Sequence, residues 1–388
     1  MSDDVYHRLA RVLDTLPNGF PATESNVEIK LLKKVFTPEE ADLFCDLRLE
    51  FETAAQIAER TGRPLEGLEE MLTSMRDRGE IMGVDFSNAN RFKMILWVFF
   101  GNLNHFKTIP QILLGNMKLF KMVPWVLGIY EYQVKRMDRD FAALSEEYFP
   151  YFGKQFFEKK PQYMQVIPID RDLSARHESL AYEEVSRIIE KGRSFALAEC
   201  ICKKEKGLLD HPCDKPVEVC LAIAPLPGLL DDFTHWGRPV SKTEAYDVLK
   251  KAEAAGLVHL THNVANNHFF ICNCCGCCCG ILRGINELGI QAPVYTNFYA
   301  EIDADSCTLC GTCADDRCQV NALKEGKDAY RVIREQCIGC GLCISTCPAD
   351  AIRLFRKRPE EIVAPPRDED DWMEMRARNR GVDYSIHK

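Results

Sequence analysis

The chain lacks an apolar run long enough to cross a bilayer. Its longest, Met94 to Phe100, is far short of the roughly 20 residues a spanning helix needs, which excludes a transmembrane helix. It also lacks G-x-G-x-x-G and G-x-x-x-x-G-K-[ST]. Neither a dinucleotide nor a nucleoside triphosphate has a standard phosphate cradle here, so a partner must supply electrons from such sources. Basic excess is missing too: 49 Lys and Arg stand against 58 Asp and Glu, a formal charge of −9. That disfavours binding to nucleic acid. The start, MSDDVYHRLARVLDTL, lacks the basic and apolar regions of a secretory signal. A cytoplasmic protein with reduced thiols is expected. Finally, cysteine is scarce in the first half, where Cys45 stands alone.

Elsewhere cysteine is abundant. Nineteen occur in 388 residues, and an odd number cannot pair completely into disulfides. Eighteen fall in three groups: Cys200 to Cys220, Cys272 to Cys279, and Cys307 to Cys347. Clustered thiols in a reducing compartment point to metal. A 46% hydrophobic composition supplies a core without disulfide staples.

The expected class is α+β, with a mainly helical N-terminal half. Residues 1–34 read as helix, loop, helix. Thr37 and Glu40 form a capping box with Pro38 at the first helical position. Thr53 opens a second helix closed by Gly62, and Pro64 opens a third with Leu65, Leu68, Met71, Leu72 and Met75 on one face. Ile81–Val84 then reads as a strand. Three helices and a strand resemble a winged helix-turn-helix module over residues 1–90. Its ten Lys and Arg against eighteen Asp and Glu, with Glu66, Glu69 and Glu70 at the head of the third helix, oppose phosphate contact. Residues 91–190 are expected to be a helical scaffold, broken by Pro110, Gly115, Pro124 and Gly128. No basic amphipathic face accompanies its aromatic run, so peripheral membrane contact is disfavoured. Residues 191–299 form a cysteine-rich domain. There Phe195–Ala198 is a strand delivering Cys200, Ser241 caps a helix ending at Gly256, and Leu257–Thr261 is a strand. Residues 357–388 are expected to be an extended tail, because Asp368–Asp371 is an acidic run.

Cys337, Cys340, Cys343 and Cys347, followed by Pro348, are spaced C-x2-C-x2-C-x3-C-P. A run this close lets thiolates from one loop reach several irons of one cluster. Cys307, Cys310, Cys313 and Cys318 precede it by 30 residues as a second copy, with a longer last gap and Gln319 in place of proline. Zinc, which takes four thiolates as two separated pairs, explains the double run less well. Residues 300–356 resemble a bacterial ferredoxin domain with two [4Fe-4S] clusters. In that family the fourth cysteine of each run ligates the other cluster. The resemblance implies one cluster on Cys307, Cys310, Cys313 and Cys347, and a second on Cys337, Cys340, Cys343 and Cys318. Asp315 and Asp316, beside Cys318 in sequence, are expected to lower the potential of the second.

Ten thiols remain: Cys200, Cys202, Cys213 and Cys220, then Cys272, Cys274, Cys275, Cys277, Cys278 and Cys279. His211, His259, His262 and His268 are near in sequence, as are Lys203, Lys204 and Lys206. The ten can hold one or two additional iron–sulfur clusters, or zinc at Cys200, Cys202, Cys213 and Cys220, or act as redox thiols without metal. Vicinal thiols such as Cys274 and Cys275 diverge, so they are not expected on one iron. The Cys-Cys-Gly signature is similar to that of heterodisulfide-reductase-type proteins. Residues 195–356 together resemble 4Fe-4S dicluster proteins of anaerobic bacteria.

The resemblance implies electron transfer between redox partner proteins, with the chain a component of an anaerobic oxidoreductase. No catalytic residue is assigned. Two alternatives stand beside it: a redox-sensing regulator using the helical module, and a reductase acting at the unusual cysteines.

Overall fold

Two amphipathic helices, α1 (Ser2–Thr15) and α2 (Val27–Val35), open the chain where their spacing predicts. The computed structural model describes residues 2–86, 117–169 and 184–388. Met94–Phe100, Pro110 and Gly115 lie outside the described residues. Helix α3 (Pro38–Phe44) starts on a completed capping box: Glu40 N donates to Thr37 Oγ1 at 3.3 Å, and Thr37 N to Glu40 Oε2 at 2.9 Å. Helix α4 (Ala54–Thr61) begins on the same device, built from Thr53 and Gln56. Helix α5 (Leu68–Asp77) starts four residues later than Pro64 predicts. Gly67 has φ 75°, so the chain turns there before the helix begins. Leu65 consequently misses the apolar face and is 56% exposed, whereas Leu68, Leu72 and Met75 are buried.

Strand β1 (Met82–Asp85) pairs antiparallel with β2 (Lys118–Lys121), and Glu52 bridges to Phe120. Short helical turns over 125–135 lead to α6 (Arg139–Phe157), whose N-cap Asp138 accepts from Phe141 N at 2.7 Å. Next come β3 (Met164–Ile167), α7 (Val185–Lys191), β4 (Ser194–Glu199), α8 (Ile201–Leu208), β5 (Glu218–Ala224), β6 (Arg238–Val240), α9 (Lys242–Ala254), β7 (Val258–His262), β8 (Phe270–Cys274), α10 (Gly280–Asn286) and β9 (Val294–Tyr295).

Seven of these strands make one sheet in the order β6-β4-β5-β8-β7-β3-β9, antiparallel except for the β3–β9 pair. Ile188, Ile189, Val248 and Leu249 cover one face of it, over Phe195, Leu197, Leu221 and Ile271. Leu260, Phe270 and Leu282 pack instead into the larger core shared with α6 and the N-terminal helices. The expected division near residue 190 is therefore corrected. Strand β3 comes from the segment expected to be only helical, yet it sits inside the sheet because Val166 and Ile167 are buried against β7.

A smaller lobe follows. Strands β10 (Phe298–Ile302), β11 (Leu323–Glu325), β12 (Tyr330–Val332) and β13 (Ile352–Arg356) form two antiparallel pairs, β10–β13 and β11–β12. The whole is a mixed helix-and-sheet, α+β structure.

The extended tail is also corrected. Residues 369–380 are helix α11 (Glu369–Arg380), capped by Asp368, which accepts from Asp371 N at 3.0 Å. The acidic run is its first turn, where negative charge meets the positive end of the helix dipole. Trp372 and Arg376 are fully buried. Arg376 donates to the carbonyls of Phe156, Lys159 and Pro161, and Arg380 pairs with Asp14 at 2.9 Å.

Candidate metal centres

The two ferredoxin-type runs fold as near repeats. Cys307, Cys310, Cys313 and Cys347 line one pocket together with Tyr330 and Ile352. Cys318 lies within electrostatic reach of Cys337, Cys340 and Cys343. Backbone N–H groups point at the last sulfur of each run in the same way. Ala322 N donates to Cys318 Sγ at 3.1 Å, and Ala351 N to Cys347 Sγ at 3.3 Å. Asn321 (φ 53°) and Asp350 (φ 49°) make the left-handed turns that aim these donors. Ala300 N donates to Cys337 Sγ at 3.4 Å. Gly339 (φ 62°) lies where any side chain would strike the Phe298 carbonyl. Burial pushes the Cys313 thiol up to about 11 and Cys340 to about 12. Thiolates held there need a nearby positive charge, which a metal supplies.

The extra residue before Cys318 forms a π turn over 313–317. It carries Arg317, which is buried and donates to the carbonyls of Glu253 and Ala254 at the end of α9 and of Leu342 in the second run. Gln319, in the proline position, accepts from Gly276 N through Oε1 at 2.9 Å. Asp315 is exposed, and its carboxylate approaches Gly311 and Tyr330. It therefore borders the Cys307–Cys347 cavity, not the surroundings of Cys318 that its sequence position implies. The side chain of Asp316 lies outside the described residues.

The other ten thiols divide in two. Six follow one another in space, each within electrostatic reach of the next: Cys202, Cys200, Cys220, Cys272, Cys274 and Cys279. Secondary structure explains the grouping. Cys200 caps α8 and Cys279 caps α10. Cys220 on β5 and Cys272 on β8 are brought opposite by the register that pairs Leu221 with Ile271. Cys272 and Cys274, two apart on a strand, share a face. The second group is Cys213, Cys275, Cys277 and Cys278, whose four sulfurs all lie within 4.8 Å of one another.

The quartet Cys200, Cys202, Cys213 and Cys220, which one alternative reading assigned to zinc, is thus split. Cys213 sits on the loop beyond α8, with Sγ 3.7 Å from Cys275 and 3.6 Å from Cys277. Vicinal thiols do diverge at Cys274–Cys275 and at Cys278–Cys279, each pair sending one sulfur to either group. Cys277 and Cys278 do not, lying 3.6 Å apart, because residues 275–278 form a turn, not a strand.

Charged groups frame both sets. Lys203 is 3% exposed and donates to the Asn273 carbonyl at 3.4 Å. Burial disfavours its charge, but Cys200, Cys275, Cys274 and Cys220 around it outweigh that and raise its pKa. Lys203 is thus the counter-charge between the two groups, whereas Lys206 is committed to Glu146 at 2.9 Å. Arg283, 4% exposed, also holds Glu146, at 2.6 Å, and Glu287 at 2.8 Å. Burial opposes ionisation of Glu146, yet these cations outweigh it and hold the carboxyl below its usual range. The network fixes α8 and α10, which carry Cys200, Cys202 and Cys279, to α6.

Two of the neighbouring histidines are engaged elsewhere. His259 bonds Asn273 at 2.5 Å. His262 stacks on Tyr163 with centroids 4.6 Å apart and lies beside Trp372. Sequence reasoning missed the roles of Gln319, Arg317 and Arg283. Only Gln319 carried a signal, as a departure from the proline of the repeat.

A family model for the 4Fe-4S dicluster domain matches residues 300–354. No solved structure matches the chain. Among the described residues no helix is long and apolar enough to cross a membrane. The match and the cysteine-rich region support a ferredoxin-type, iron–sulfur, electron-transferring protein.

Proposed function

We propose that the chain passes single electrons between redox partner proteins, as a component of or donor to an anaerobic oxidoreductase. Cys307, Cys310, Cys313 and Cys347 would hold one [4Fe-4S] cluster. Cys318, Cys337, Cys340 and Cys343 would hold the other. The observation that carries this reading is the pair of thiol sets, each with a backbone N–H aimed at the sulfur that the other run contributes to it. Such N–H donors stabilise the more negative, reduced state and raise the cluster potential. The clusters supply reversible one-electron chemistry; the chain supplies ligation, spacing and burial.

Two features support a relay. Cys310 is exposed, so the first cluster would be approachable by a docked partner. Gly276, within the cysteine-dense turn, touches Gln319 beside Cys318. The six-thiol pocket would hold a further cluster on that side.

The test is anaerobic iron and sulfide analysis with EPR of the dithionite-reduced protein. About eight irons are expected from two four-iron clusters, and more if the six-thiol pocket is loaded. Cys340→Ala should remove one cluster's EPR signal and leave the other. Four irons or fewer in the intact protein would sink the proposal.

A further inference from the structure

We infer that Cys213, Cys275, Cys277 and Cys278 form a mononuclear site for a single tetrahedral metal ion, zinc, separate from every iron–sulfur cluster of the chain. The argument is one of distances. Cys213 Sγ lies 3.7 Å from Cys275 Sγ and 3.6 Å from Cys277 Sγ, and Cys277 Sγ lies 3.6 Å from Cys278 Sγ. All four fall within 4.8 Å of one another. A tetrahedron of thiolates bonded to one ion at about 2.3 Å has edges of about 3.8 Å. Three of the six edges already have that length, and the other three lie within 4.8 Å. Disulfides do not explain them, since bonded sulfurs are about 2 Å apart.

A four-iron cluster needs a wider arrangement, because each thiolate binds a different corner of the cube. The same molecule provides the comparison. Among the described residues no other three potential ligand atoms lie this close together. The two ferredoxin-type sets and the six-thiol chain are all more open. The ten cysteines outside the ferredoxin domain thus divide by nuclearity, four for one ion and six left for a cluster.

Chemistry favours zinc. Four thiolates in a tetrahedron are the donor set of a closed structural zinc site. All four are protein ligands, so no open position remains for a substrate. Four thiolates around a dipositive ion leave a double negative charge, and Lys203 lies close enough to Cys275 to offset part of it. The structural consequence is specific. Cys275 and Cys278 flank the turn whose outer neighbours, Cys274 and Cys279, belong to the six-thiol chain. An ion on the inner pair would tie the turn to the Cys213 loop and so position Cys274 and Cys279.

The experiment is metal analysis of the full chain, purified without oxygen, as wild type and as the Cys213→Ser, Cys277→Ser and Cys213→His variants. Cys45→Ser serves as control. Wild type and control should carry about one zinc per chain. The serine variants should lose it, and Cys213→His should keep it, since zinc accepts imidazole. Loss of about one iron in place of zinc would support the same mononuclear site with iron as its occupant. Loss of several irons, or metal contents unchanged in both serine variants, would overturn the inference. Should the serine variants not fold, cobalt(II) added to chelator-stripped wild-type protein decides. The visible bands of a tetrahedral cobalt tetrathiolate are expected, and their absence would count against the site. Because EPR of the ferredoxin clusters is read separately, failure here is distinguishable from failure of the electron-transfer reading.

Discussion

Glu205 shows at residue scale how the protein tolerates charge near its thiols. It is 6% exposed and accepts a hydrogen bond from Tyr130 Oη at 2.6 Å. Burial raises its pKa from 4.5 to about 7, against the Tyr130 bond and with help from Glu146. The fold therefore binds a proton that the unfolded chain has released. Stability from this group is present at low pH and is lost as pH rises from the unfolded value towards about 7. Glu205→Gln keeps the Tyr130 bond without the charge. Scanning calorimetry should show wild-type melting falling between about pH 5 and about pH 8, with a flatter profile in the variant. Equal slopes would contradict the assignment. A single charge of this kind leaves no trace in sequence, because Glu205 and Lys206 look like one solvated helix face until burial separates them.

At the scale of elements, the strongest local signals were reliable and the tertiary ones were not. The capping boxes at Thr37 and Thr53 are local chemistry, legible in four residues. Helix α5 begins late because a glycine three residues beyond a proline reads equally well as turn or helix. Helix α11 was hidden by its own cap, an acidic run that resembles a disordered tail. Its largest apolar anchor is Trp372, in T-shaped contact with Tyr163 at 4.7 Å and donating to the Gln162 carbonyl at 2.9 Å. Trp372→Ala should cost about 3–5 kcal/mol, seen as a lower denaturation midpoint, while Val363→Ala at an exposed site should be near neutral. A small effect at Trp372 would mean that α11 is not part of the core. The six-thiol chain was unreadable for a related reason. Cys220 and Cys272 are neighbours only because two strands pair in one register.

Across the whole molecule, two contacts between the ferredoxin-like lobe and the body that carries the seven-stranded sheet bear on stability. One is Arg317, whose guanidinium closes the carbonyl end of α9. The other is the seam between Gly276 and Gln319, where Asn286 Nδ2 also donates to both backbones, at 3.3 and 3.0 Å. A side chain at Gly276 would overlap the Gln319 carbonyl and crowd Asn286. Gly276→Ala should therefore destabilise the protein by about 1–3 kcal/mol. It should also alter the EPR signal of the cluster proposed on Cys318 more than that of the other. An unchanged melting temperature would show the seam to be slack.

That seam also bears on how the protein fails. Gln319 follows Cys318, and Gly276 lies between Cys275 and Cys277. Were the iron proposed at Cys318 lost to oxidation, Gln319 would be released and, with it, the turn that gathers the neighbouring thiols. Damage begun in one lobe is thus handed to the other through two touching backbones. Exposure to air should inactivate the centre proposed at Cys318 together with the thiol groups gathered by the Gly276 turn, while the Cys307–Cys347 set responds independently.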